Sequence, residues 1–161
     1  MSEGLVDRQV LIGKITVLPE QVESAVAGLS VEELTTAVSP TEWSVAQIIH
    51  HLADSHSWGL RRCKMVLAKE APTIASYHQD GLAQLADGKD GNIMPSLAIL
   101  KGTHARWVTL LQSLSDEDWQ RTEVHIDYGA WQLIDLVGNY ARHGESHLQQ
   151  IKAILAAQSL S

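Results

Sequence analysis

The stretch VAQIIHHLADSHSWGLRRCKMVLAKE, residues 45–70, decides the fold. It contains no proline, and its apolar residues recur at intervals of three and four, the period of an amphipathic helix. Ser44 and Gln47 stand in capping-box spacing, so the helix starts at Ser44. Pro72 ends it near Lys69, because the residue before a proline is driven out of helical geometry. Ile48, Leu52, Ser55, Trp58, Met65 and Val66 mark the expected buried stripe. His51 lies on that stripe, and His50 is turned about 100° away.

Outward from this helix, the same signals recur. PEQVESAVAGLS predicts an earlier helix, with Pro19 as its start and Gly28 near its end. Residues 1–18 are expected to form a partly ordered lead-in. SVEEL carries a capping box from Ser30 to Glu33. Residues 71–95 read as a long connection with a short helix in YHQDGLAQLA and a break at DGKDG. Pro95 and Ser96 open a third long helix, SLAILKGTHARWVTLLQSL. A capped short helix, SDEDWQ, follows, and RTEVHIDYGAW could form an irregular hairpin. A fourth long helix covers about residues 133–157. Long helices with little strand predict an all-α fold: one domain over 1–161, a four-helix bundle with short accessory helices and one long crossover between the second and third long helices.

Composition narrows the function. The net charge is −7 and no basic stripe is present, which argues against a nucleic-acid partner. The single cysteine, Cys63, permits no disulfide within the chain. No signal-peptide pattern and no apolar run of membrane length occurs, so a cytoplasmic location is expected. Eight histidines are many for 161 residues.

Two of them, His143 and His147 in NYARHGESHLQQIK, continue the fourth helix's stripe of Leu133, Leu136, Val137, Tyr140, Ile151, Ile154 and Leu155. Side chains four apart on a helix share a face. Such a pair can grip one metal ion, or can be two core histidines bonded to neighbours. His51 adds a third interior imidazole, at similar depth if its helix runs parallel to the fourth, and this favours a metal site. His104, on the stripe Leu97, Leu100, Trp107, Val108, Leu111, reads as lining the pocket, with ligation, a catalytic base or plain core packing as its roles. His56, His78 and His125 read as loop or surface residues. HGESH is not HExxH, because Glu145 stands two residues after His143 and points away from both rings. There is no CxxC, glycine-rich phosphate loop or GxSxG elbow.

The run EWSVAQIIHHLADSH resembles the second helix of the DinB-like superfamily, nearest its YfiT-like branch of metal-dependent hydrolases and thiol S-transferases. The shared pattern is a Trp, a His eight residues on followed by Leu-x-Asp, and a distal HxxxH: Trp43, His51, Leu52, Asp54, His143 and His147. APTIASY, HARWVTLLQSLSDEDWQRT and YARHGESHLQQI extend the likeness to about residues 14–156. It implies a bundle holding zinc or nickel on His51, His143 and His147, with water in the remaining positions, and a homodimer. The chain departs from the branch in its short N-terminal segment and in SHSWGLRRCKM. Arg142 and Ser146 also stand beside the ligands where Trp and His are usual. These differences bear on the substrate.

An open three-histidine site could activate water, giving a hydrolase, or bind a low-molecular-weight thiol, giving an S-transferase for small electrophiles. Thiol transfer is favoured because a clear hydrolytic base is missing and because thiol-using relatives exist. The third reading is a non-enzymatic, stress-related helical binding module. Asp54 is a candidate to orient a ligand imidazole, or a helix-surface acid. Arg142, and Arg61 and Arg62 on the second helix, could meet the carboxylate of a thiol co-substrate, or be solvated charges. Trp58 and Trp107 read as core, and Trp43 as sealing the bundle end.

Overall fold

Most of the helices begin where a polar side chain takes up the free N–H groups of the first turn. In the computed structural model, which describes residues 3–159, the elements are α1 (Glu3–Val26), α2 (Val31–Thr35), α3 (Val45–Ala68), β1 (Thr73–Ile74), α4 (Gln79–Ala83), α5 (Met94–Gln112), α6 (Asp116–Trp119), β2 (Thr122–His125), β3 (Gly129–Gln132) and α7 (Leu133–Gln158). Reciprocal capping boxes open α2 at Ser30, α3 at Ser44 and α6 at Ser115. Pro95 sits in the first turn of α5, where its missing N–H costs nothing. The expected hairpin forms as β2 and β3, and the two-residue β1 adds in parallel to β2.

The four long helices form a square. α1 and α3 each pack against both α5 and α7. Two apolar clusters fix their directions. One joins Val22 and Val26 of α1, Ile48 and Leu52 of α3, Leu97 and Leu100 of α5, and Ile151 and Ile154 of α7. The other joins Ile12 and Ile15, Cys63 and Val66, Trp107 and Leu111, and Leu133 and Leu136. Hence α3 and α5 run parallel, linked by the long crossover, and α7 runs antiparallel to α3. The parallel course of α3 and the fourth helix, the condition for similar depth, does not occur. His51, near the start of α3, meets His143 and His147 well along α7.

Two further expectations change. α1 begins at Glu3, not at Pro19, and Pro19 lies inside it. Ile12, Ile15, Leu18, Val22 and Val26 keep helical spacing across the proline and are all buried, so packing carries the helix through it. The buried face of α3 is also turned from the expected stripe. Gly59, Leu60, Arg62, Cys63 and Val66 are buried, while Trp58 and Met65 are only partly so. Gly59 explains the rotation. A Cβ there would stand 2.6 Å from the Trp107 ring and 2.8 Å from that of Tyr140, so only a glycine lets both aromatics lie against α3.

Arg62, expected as a solvated charge or an anchor for a thiol's carboxylate, is buried and grips Glu123 of β2 with two guanidinium nitrogens. This ion pair ties the hairpin to α3 and lies against the Tyr140 ring. Among the described residues, no helix is long and apolar enough to cross a membrane.

Candidate metal centre

A layer of histidines separates the two apolar clusters. His51 and His56 come from α3, His104 from α5, and His143 and His147 from α7. α1 contributes the Ile15 carbonyl, on which the His104 Nδ1–H donates. Gly144 makes room on α7, since a Cβ there would stand 2.3 Å from a Leu18 methyl and 3.3 Å from the His56 ring.

His51, His143 and His147 converge, each offering a ring nitrogen within 4.8 Å of the others. The Nε2 atoms of His51 and His143 are 3.0 Å apart. The rings of His143 and His147 meet edge-on at 4.5 Å between centroids, and each lies about as close to His51. Trp43 covers this trio, 4.9 Å from the His51 ring and stacked on His147 at 6.3 Å. The tryptophan expected to seal the bundle end therefore lies over the histidine trio.

Desolvation keeps these rings neutral. Burial, with His147 and His51 nearby, pushes His143 down to about 3, and burial with His147 nearby pushes His51 down to about 4. Burial also lowers His147, opposed by its hydrogen bond to Gln150. Neutral imidazoles with converging nitrogens are what a borderline divalent ion such as zinc takes as ligands. The donor set fits such an ion. His147 Nδ1 lies 2.9 Å from Gln150 Oε1 and donates to it, which leaves Nε2 as its ligand atom.

The other candidates fall elsewhere. His104 is buried behind the trio, 2.8 Å from His56 Nδ1 through its Nε2. Asp54 is largely exposed on α3, and its carboxyl is raised by partial desolvation and by Asp87, opposed by His50. Arg142 is exposed beside His143. Glu145 points away from the trio and pairs with Lys14 at 3.0 Å. Burial pushes the Cys63 thiol up to about 12, so it is an inert core group.

His56 and His125, expected at the surface, are both buried. His56 has no exposure at all and bridges His104 to His143, at 3.2 Å from His143 Nδ1. Its signal was its spacing. His56 stands four residues after Leu52 and three before Gly59, on the face that Gly59, Cys63 and Val66 continue. Trp58 and Met65 drew the stripe away because glycine and cysteine weigh less as apolar markers.

The fold and site together define a helical bundle with a three-histidine centre of metal-binding geometry. The chain belongs to the DinB superfamily, whose model matches residues 15–151. It is 38% identical over 146 residues to a Geobacillus thermodenitrificans protein named "putative metal-dependent hydrolase", covering 89% of this chain and 81% of that one. It is 35% identical over 157 residues to a Bacillus cereus protein of the same description, covering 96% and 87%. Its fold matches that of YfiT from Bacillus subtilis, described as "a probable metal-dependent hydrolase with an unusual four-helix bundle topology". That match has a TM-score of 0.91 and 29% identity, over 99% of this chain and 90% of the other.

Proposed function

We propose that the protein is a metal-dependent enzyme, holding zinc or nickel on His51, His143 and His147, that transfers a low-molecular-weight thiol to small electrophiles. Three neutral imidazoles would hold a divalent ion, and that ion would supply the Lewis acidity to hold a thiol as its thiolate. The carrying observation is the all-imidazole character of the site: the metal-competent group contains His51, His143 and His147 and no carboxylate. An ion on these imidazoles could itself activate water, and a hydrolytic step would still gain from a general acid or base that passes the proton to the leaving group. The Nδ1 atoms of His143 and His147 are committed to His56 and Gln150. A thiol held by the ion would give its proton to solvent and add as thiolate to the electrophile without such a group. His51, His143 and His147 bind, His56 and Gln150 orient, and Trp43 shields one side from water. Arg142 is the cation proposed to meet a carboxylate of the thiol.

Hydrolysis is the second reading, favoured by the names of the relatives. The two are separated by incubating zinc- or nickel-loaded protein with a chromogenic electrophile and a panel of bacillithiol, mycothiol, coenzyme A and cysteine, beside ester substrates without thiol. Thiol-dependent conjugation that disappears on chelation supports transfer. Ester cleavage at full rate without any thiol would replace it with hydrolysis.

A further inference from the structure

The five-histidine layer contains two rings that the metal does not need, and their hydrogen bonds have only one consistent direction. The starting point is Pro19. In an α-helix, the N–H of residue 19 would bond to the carbonyl of residue 15, and proline has no N–H. The Ile15 carbonyl is thereby left for another donor, and the Nδ1 of buried His104 takes it. A carbonyl only accepts, so His104 carries its proton on Nδ1. Its Nε2 is then a lone pair and accepts from His56 Nδ1, 2.8 Å away. His56 Nε2 is in turn a lone pair and accepts from His143 Nδ1 at 3.2 Å. His143 is left with Nε2 unprotonated, the nitrogen that faces His51 Nε2 at 3.0 Å.

We infer that His56 and His104 are positioning residues: with the Ile15 carbonyl they fix His143 in the tautomer that carries its proton on Nδ1 and presents Nε2 to the metal. A ligand imidazole ordinarily gives its second N–H to a carboxylate or carbonyl beside it. Here two imidazoles relay that function to a carbonyl on α1, so all four long helices take part in setting one ligand. The same direction rule makes a second statement. Without metal, His51 must donate from Nε2 to His143. Metal binding therefore moves the His51 proton to Nδ1 and leaves the His143 proton in place.

This inference rests on the proposed metal centre, and its test separates the two. Long-range 15N–1H correlation on histidine-labelled, metal-free protein at pH 8 reads the tautomers directly. The expected pattern is Nδ1–H at His104, His56 and His143, with His51 alone changing on addition of zinc. Competition against a chromophoric chelator then gives zinc affinity for His56→Leu and His56→Gln, with circular dichroism checking the fold. An amide can accept from His143 and donate to His104, whereas leucine can do neither. His56→Leu should weaken zinc binding about 10- to 100-fold, and His56→Gln should recover most of that loss. Nε2–H at His143 in the metal-free protein, or a folded His56→Leu that binds zinc as the wild type does, overturns the inference. A wild type without zinc affinity overturns the metal centre instead, while the tautomer pattern still decides the relay.

Discussion

His51 and His143 differ in what they hold. His143 serves both the converging trio and the chain of rings behind it, so His143→Ala also strips His56 of its donor. His51 faces His143 and His147 under Trp43 and has no part in the chain to Ile15. Both substitutions should abolish metal binding, but His143→Ala should cost more stability, because it orphans Nε2 of fully buried His56, whereas His51→Ala frees Nε2 of half-buried His143, nearer to water. Elemental mass spectrometry of purified protein is the check. About one equivalent is expected in the wild type and about a tenth or less in either variant. Full metal content in His51→Ala would remove His51 from the site. At this scale the sequence was informative where a histidine shared a stripe with strong apolar markers, as His143 and His147 do with Leu136, Tyr140 and Ile151. His56 was hidden because its stripe is built from Gly59 and Cys63, whose burial follows from what packs on them.

Among the elements, α3 bears the most constraint. Its N-terminus is locked by Ser44 and Gln47, and Gln47 reaches on to the Ala83 carbonyl at 2.8 Å, fastening α4 of the crossover. Its C-terminal half is tied to the hairpin through the buried pair of Arg62 with Glu123. Removing one member leaves a buried charge without its partner. Glu123→Ala should therefore cost about 3–5 kcal/mol, and adding Arg62→Met should restore a large part of it. Urea denaturation of the two variants tests this, and a Glu123→Ala loss below about 1 kcal/mol would mean that the pair is solvated. The caps of α2, α3 and α6 could be read in advance because each is a local device, closed within three residues. β1 could not, because two residues become a strand only when β2 lies alongside. Nor could the length of α1, because Pro19 is a start signal locally. Burial of Ile12 and Ile15 overrides that signal only in the assembled bundle.

At the scale of the whole molecule, a polar layer through the middle of a small core makes stability depend on pH. His51 and His143 are held neutral down to about 4 and about 3 in the folded protein, against an ordinary 6.5. Between these limits the unfolded chain binds protons that the folded chain refuses, so folding is disfavoured as pH falls. Above 6.5 neither state is protonated and the layer carries no such penalty. At pH 5 the cost is about 2 kcal/mol for each ring, with less than full additivity because the rings face one another. Thermal melts of metal-free protein should therefore show a midpoint about 5–10 °C lower at pH 5 than at pH 7.5. In His51→Ala the slope should be visibly shallower. A midpoint unchanged between these pH values would mean that the rings are hydrated, not desolvated. The same neutrality governs metal binding. Ligands that have already lost their protons release few on binding, so zinc affinity should stay nearly flat from pH 8 to about 6, where exposed histidines would already lose it. Burial thus has two linked effects: it weakens the metal-free fold in acid and keeps the site ready for metal at neutral pH.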